Sequence, residues 1–299
     1  MQRRVLSGVP QGSVLGPLLF VIYISDSKYS LKSLFVMYAD DLKIYNKSCN
    51  FIVLQNDLDM VANWSCTLLL RINSAKCLVL YTNSNRNLKH DYHVHGTQLS
   101  KVDSYRDLGV MVSSSLLWSD HIAELVKKAN RIIFLISRTF RAITISMFNN
   151  LYKTLVRPVL EFANTVWAPS LKGDIALLEG VQRRATRLPF GRVRPSYEGR
   201  LALMHLPSLV DRRGRGAMIT TFQALTNNNS VIRFFFKLDM RGRTRGNSFK
   251  LVKGNFKTTG RQIYIVNRVF GKWNSLPTEV VLNDSVLSFK GSYDQYNKV

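Results

Sequence analysis

The chain has 299 residues, with 42 Lys and Arg against 19 Asp and Glu, and a formal charge of +23. Hydrophobic residues make up 46% of it and charged residues 20%, enough apolar content for a sizeable core, so a wholly disordered basic tail is excluded. Three scattered cysteines (Cys49, Cys66, Cys77) argue against a disulfide framework and a zinc site. The longest apolar run, Val14 to Ile24, is shorter than the ~20 residues a bilayer span needs, and no charged-then-apolar signal segment opens the chain. The expectation is an intracellular, soluble protein of the nucleus and/or cytoplasm, with no membrane partner. Its length suggests two or three domains.

In chain order, Ser7-Gly8-Val9-Pro10-Gln11-Gly12-Ser13 forms a tight loop, with Ser13 placed to cap the next helix and Pro17 in its first turn. Leu18 to Ile24 then reads as a buried apolar helix. Two short apolar runs, Leu34 to Met37 and Leu42 to Tyr45, flank Tyr38-Ala39-Asp40-Asp41 and predict a β-hairpin with an acidic turn. Asn56 to Leu70 has apolar residues at helical spacing. Cys77 to Tyr81 predicts a strand, and Tyr105 to Val112 another that turns at Gly109. From His121 the pattern becomes helical: His121 to Arg141 basic and amphipathic, Met147 to Ala163 broken near Pro158, and Ile175 to Arg187. After Pro189 the chain is rich in Gly and Arg, with a break over 241–247. A compact terminal segment begins at Trp273.

The positive charge is concentrated. Residues 1–180 carry 20 basic and 13 acidic side chains, whereas 181–272 carry 20 basic and only three acidic ones, Glu198, Asp211 and Asp239. Such a stretch attracts a polyanion, nucleic acid above all, through counterion release. Its blander reading is a solvated basic face or an import signal. Phe222, Phe234, Phe235, Phe236, Phe249 and Phe256 interleave with these charges; bases stack on such rings, although core burial is the commoner role.

Asp40 and Asp41 are the sharpest chemical feature. Two adjacent carboxylates repel one another unless a cation neutralises them. A hairpin tip holds them rigidly near solvent, which suits Mg²⁺, a hard ion that takes a few carboxylates together with substrate phosphates. Asp is also a favoured turn residue, so the pair alone does not establish a metal site.

The loop Ser7 to Phe20, followed by Tyr38-Ala39-Asp40-Asp41, resembles the reverse transcriptases of non-LTR retrotransposons, the jockey-like group especially. The resemblance extends to Ile72-Asn73-Ser74-Ala75-Lys76-Cys77, Tyr105-Arg106-Asp107-Leu108-Gly109-Val110, the stretch around Leu151 to Glu161, Leu178 to Arg187, and Trp273-Asn274-Ser275-Leu276-Pro277. It implies an α+β fold: a partial polymerase palm of antiparallel sheet and helices (1–115), a helical thumb (116–190) and a basic, mixed C-terminal region (191–299).

The resemblance further implies two-metal nucleotidyl transfer with Mg²⁺ (or Mn²⁺), an RNA template, a DNA primer, their RNA–DNA hybrid, and deoxynucleoside triphosphates. Asp40 would be a direct metal ligand and Asp41 the second carboxylate. Tyr38 would pack beside the primer end, and Pro10, Gln11 and Gly12 against the nucleotide and template base, with glycine allowing close backbone approach. Lys76 would act at the leaving phosphates. Leu108, Gly109 and Val110 would support the primer strand, while Lys127, Lys128 and Arg131 grip duplex phosphates.

One part of the pattern is missing. The family carries another metal-binding aspartate well upstream, and only six residues, none acidic, precede Ser7. The expectation is a truncated copy that does not polymerise alone, with a sheet edge left unpaired beside the acidic hairpin. The alternative is a non-catalytic nucleic-acid-binding remnant in which only the basic segment still operates.

Overall fold

The computed structural model describes residues 12–25, 31–46, 50–82, 90–191, 194–227, 230–239, 249–256 and 259–297. The chain divides into two compact units, Met1–Tyr105 and Arg106–Val299.

The first unit is a mixture of helices and short ribbons. Helix α1 (Gly16–Ile24) has Pro17 in its first turn, and the Gly16 amide donates to Ser13 Oγ at 3.0 Å. The helix forms as expected but is not buried. Leu18, Leu19, Val21, Ile22 and Tyr23 are all about half exposed, whereas Gly16 and Ile24 are covered. Its apolar residues run all round the cylinder, and a helix packed from one side buries only one stripe of them.

Strands β1 (Leu34–Tyr38) and β2 (Asp41–Tyr45) pair antiparallel, from Leu34 opposite Tyr45 to Tyr38 opposite Asp41. Among the described residues this hairpin is a two-stranded sheet by itself. Helix α2 (Phe51–Thr67) starts five residues before the predicted one, because Asn50 caps it by accepting from the Val53 amide. Its Asp57, 1% exposed, accepts from the amides of Lys32 (3.0 Å) and Ser33 (2.7 Å) and so ties the entry to β1 onto the helix. Burial pushes the Asp57 carboxyl up, but hydrogen bonds from Ser33 and Lys32 and the Lys32 charge outweigh it and hold the group below its ordinary value.

Beyond α2, β3 (Leu78–Leu80) pairs parallel with β6 (Ser100–Val102), and β4 (His93–Val94) pairs antiparallel with β5 (Thr97–Gln98). One antiparallel palm sheet was the expectation; the described residues instead form separate two-stranded ribbons, one of them parallel. The connection from β3 to β6 is long enough for a crossover, which removes the hairpin constraint that enforces antiparallel pairing. The small core of this unit gathers Ala62, Tyr92, Val94 and Leu99.

The second unit is mainly helical. It opens with the later part of a hairpin, β7 (Ser104–Asp107) and β8 (Val110–Ser113). The stretch predicted as one turning strand is therefore two. Helix α3 (Ser119–Thr139) buries Ile122, Leu125, Ala129, Ile133 and Ile136 along one stripe. Next come α4 (Ile145–Leu151), a π-helical turn at Tyr152–Val156, and α5 (Arg157–Glu161). The break foreseen near Pro158 is thus a wider turn placed just ahead of it, where proline's missing N–H and its ring disturb the regular ladder.

Helix α6 (Lys172–Ala185) and α7 (Tyr197–Met204) complete the first core, around fully buried Trp167, Leu160 and Leu178. Buried Gln182 clips them together: it accepts from Tyr152 Oη at 2.6 Å and donates to Tyr197 Oη at 3.1 Å and the Pro207 carbonyl at 3.0 Å.

A second core gathers α8 (Leu209–Thr226), α10 (Ile265–Asn274), α11 (Thr278–Val281) and α12 (Val286–Asn297), with α9 (Thr259–Ile263) leading in. Trp273, Phe222 and Phe289 fill it. The break predicted over 241–247 lies outside the described residues.

Candidate active site

The acidic turn is built by the shortest hairpin loop. With Tyr38 opposite Asp41, only Ala39 and Asp40 span the bend, and Ala39 takes a left-handed φ of +51°. That conformation costs an L-residue about 1–2 kcal/mol, so flanking strand pairing must hold it. Strand periodicity places Tyr38 and Asp41 on one face, with Val36 and Lys43 behind them, while Phe35, Met37, Leu42 and Ile44 lie half-buried on the other. Tyr38 is 62% exposed, and Asp40 and Asp41 both face solvent. An aromatic ring therefore stands beside two carboxylates at an open tip.

These donors suit a hard divalent cation. Among the described residues no group of three or more His, Cys, Asp or Glu gathers around a common point. The two carboxylates therefore fit an ion shared with waters and substrate phosphates, as Mg²⁺ is commonly bound, rather than a cage made by protein alone. Lys76 closes a one-turn 3₁₀ helix at Ser74–Lys76 and is exposed; no described ion pair brings it to Asp40 or Asp41. Gly12 is exposed with φ +82° and nothing within 4 Å of a notional Cβ, so within this chain backbone conformation, not crowding, selects glycine. Pro10 and Gln11 lie outside the described residues.

In the second unit, Leu108 and Gly109 form the two-residue loop between β7 and β8, with φ of +45° and +87°. Left-handed backbone at both positions is what a type I′ hairpin turn demands. Leu108 is half exposed, whereas Val110 is buried in the first helical core. Arg106 donates to the Gly109 carbonyl at 3.3 Å and pairs with Glu124 of α3. The Met111 amide donates to His121 Nδ1 at 3.2 Å, which fixes the hairpin to α3. His121 is 1% exposed and stacks edge-on against Trp167. Burial pushes its imidazole below the ordinary value; Glu124 opposes this and Arg106 adds to it.

Lys127, Lys128 and Arg131 all lie on the exposed side of α3, and none has an acidic partner among the described residues. Sequence reasoning missed that this side also carries Phe134 and Leu135, 60% and 65% exposed, with Arg138 over the Phe134 ring at 5.6 Å. The signal was present: Phe134 and Leu135 fall outside the stripe of Leu125, Ala129, Ile133 and Ile136.

Much of the basic excess is engaged inside the fold. Arg200, 4% exposed, donates to Thr186 Oγ1 and to the Pro195 and Arg183 carbonyls. Arg212 donates two parallel hydrogen bonds to the Glu161 carboxylate, and Arg215 does the same to Asp294 at 2.6 Å through both arms. Arg268 donates to the Asn164 and Thr165 carbonyls; burial and neighbouring Arg213 push it down to about 10. Net charge in this region thus overstates what is offered to a polyanion. Of the interleaved aromatics, Phe222 and Phe236 are buried, while Phe234 and Phe235 are exposed.

Residues 1–112 match the family of reverse transcriptases, RNA-dependent DNA polymerases. The match covers both the acidic hairpin and the Leu108–Val110 turn. The chain is similar to the RNA-directed DNA polymerase from mobile element jockey of Drosophila funebris, 29% identical over 197 residues, which cover 60% of this chain and 21% of that protein. It is also similar to the corresponding jockey protein of Drosophila melanogaster (26% identical, 62% of this chain and 22% of that protein). A third relative is the probable RNA-directed DNA polymerase from transposon X-element of the same fly (25% identical, 64% and 22%). The resemblance to jockey-like non-LTR retrotransposon reverse transcriptases read from the motifs is therefore found independently. The chain spans about a fifth of the length of these curated relatives. No solved structure matches it significantly.

Proposed function

We propose that this chain is part of an RNA-directed DNA polymerase of a non-LTR retrotransposon and carries the acidic side of its nucleotidyl-transfer site. The observation that carries the reading is the Tyr38-Ala39-Asp40-Asp41 tip, an exposed carboxylate pair on a rigid hairpin within the reverse transcriptase match. Asp40 and Asp41 would hold the Mg²⁺ (or Mn²⁺). When bound, the metal stabilises negative charge on the attacking and leaving oxygens.

The primer 3′-hydroxyl gives up its proton to water and attacks the α-phosphorus of a deoxynucleoside triphosphate; the new phosphodiester bond forms as the bond to pyrophosphate breaks. Tyr38 packs beside the primer end, while Pro10, Gln11 and Gly12 contact the nucleotide and the RNA template base. Lys76 lends a proton or positive charge to the departing pyrophosphate. Leu108, Gly109 and Val110 support the primer strand. Lys127, Lys128 and Arg131 hold phosphates of the RNA–DNA hybrid, contacts that position without reading sequence. Phosphoryl transfer asks mainly for such positioning and electrostatics.

Among the described residues no third carboxylate joins this pair, so substrate phosphates are needed to hold the cation firmly. The decisive assay is primer extension on an RNA template by the element's polymerase that includes this segment. Asp40→Asn removes incorporation if the reading is right. Unchanged extension refutes it and leaves nucleic-acid binding by the basic region as the function.

A further inference from the structure

A second candidate site lies on the segment that leads into the second helical core. Residues 230–264 contain nine Lys or Arg and a single acid, Asp239. Within them a 3₁₀ turn at Val231–Phe235 runs into a short antiparallel ribbon: the Val252 amide donates to the Lys237 carbonyl at 2.7 Å, and the Asp239 amide to the Lys250 carbonyl at 2.8 Å. Leu238 and Leu251 bridge its centre.

Three consecutive phenylalanines enter this ribbon, and they part company. Phe236 is 7% exposed and joins Leu238, Leu251 and Trp273 in the core. Phe234 is 86% exposed and Phe235 53%. Phe235 meets the ring of Tyr264 edge-on, with centroids 6.0 Å apart and planes at 85°; Tyr264 is itself 41% exposed. Lys237 and Lys253 stand exposed at neighbouring ribbon positions, and Lys253 lies 5.7 Å from the Phe256 ring centroid.

Burying a phenylalanine is worth about 1.5–3 kcal/mol. With Phe236 as anchor, the fold leaves its neighbours' rings in water, and the same ribbon carries the exposed Lys237 and Lys253. An apolar protein partner would have to desolvate those lysines. A single-stranded polynucleotide offers both complements at once: open base faces for the rings and phosphates for the ammonium groups. A duplex offers only the second, because its bases are already stacked.

We infer that Phe234, Phe235 and Tyr264, flanked by Lys237 and Lys253, form a stacking platform for an unpaired RNA strand. The choice of RNA over DNA rests on the proposed polymerase reading, in which the template is unpaired until copied; the platform itself does not depend on Asp40.

The test is fluorescence anisotropy with the full chain and three labelled probes: an oligouridylate, the matching oligothymidylate, and an RNA–DNA duplex. Phe234→Ala is expected to weaken oligouridylate binding about tenfold, leaving the salt slope and duplex affinity unchanged, and Phe234→Trp to restore binding. A paired Lys237→Gln, Lys253→Gln variant lowers the salt slope instead. Phe234 is so exposed that its loss leaves folding intact. Wild-type affinity in Phe234→Ala, or equal weakening on the duplex, overturns the platform; tighter binding of oligothymidylate overturns the assignment to RNA. Oligouridylate binding by the Phe234 variants reads the platform and primer extension by Asp40→Asn reads the polymerase site, so this inference and the polymerase reading fail separately.

Discussion

Substitutions at the adjacent Leu108 and Gly109 should have unequal effects on stability. Both have left-handed backbone, at φ +45° and +87°. Gly109→Ala imposes the left-handed penalty of about 1–2 kcal/mol. Its new Cβ would also sit 3.0 Å from Phe162 Cε1. Phe162 is 51% exposed, so its ring swings aside cheaply and backbone conformation sets most of the cost. Leu108→Gly does the reverse. It removes the same penalty, loses only a half-exposed side chain, and gives back roughly 0.5–1 kcal/mol of glycine's extra unfolded-state entropy. The expected result is destabilisation by about 1–2 kcal/mol for Gly109→Ala and, with the lost half-buried leucine surface set against the relieved strain, a change within about 1 kcal/mol of zero for Leu108→Gly. Urea denaturation followed by circular dichroism reads both, with m-values unchanged. A neutral Gly109→Ala, or a Leu108→Gly variant destabilised as much as Gly109→Ala, refutes the backbone argument. Because Gly109 is also a proposed primer-supporting residue, affinity lost in Gly109→Ala must be compared with this stability cost.

The depressed His121 imidazole makes folding of the second unit sensitive to acid. The unfolded chain takes up a proton near pH 6.5 and the folded chain only at lower pH, so stability is complete above that value. It falls below by up to about 1.4 kcal/mol per pH unit. His121→Asn, which keeps an acceptor for the Met111 amide without titrating, should flatten urea midpoints between pH 7.5 and 5.5. Neutralising Lys127 and Arg131 together (both →Gln) should lower the salt slope of duplex binding by about two, close to one per phosphate contact, without altering preference among sequences.

The elements most legible in the sequence were those whose pattern and chemistry agree locally. The hairpin around Asp40 and Asp41 sets a short apolar run on each side of a turn, and its register follows from the two-residue loop. Helix α3 has a clean 3.6-residue stripe. Burial was less legible. Leu18 to Ile24 is apolar all round, which predicts coverage from every side, yet coverage depends on what packs there and most of that face is open. The parallel pairing of β3 with β6 depends on contacts 22 residues apart, beyond any local signal. Nothing local marks Asp57 as a buried acceptor, because the Lys32 and Ser33 amides converge on it only in three dimensions. The basic region was overcounted for a related reason: charge can be summed from sequence, but the partners that occupy Arg212, Arg215 and Arg268 appear only in three dimensions.

The account rests most directly on where a divalent cation sits. Fe²⁺ substituted for Mg²⁺, with ascorbate and peroxide, cuts backbone close to the bound ion. With RNA template, DNA primer and deoxynucleoside triphosphate present, cuts are expected around residues 39–42 and should vanish in the Asp40→Asn, Asp41→Asn double variant. Cleavage confined elsewhere, or cuts at 39–42 that persist in that variant, would contradict the assignment of Asp40 and Asp41 as metal-holding residues.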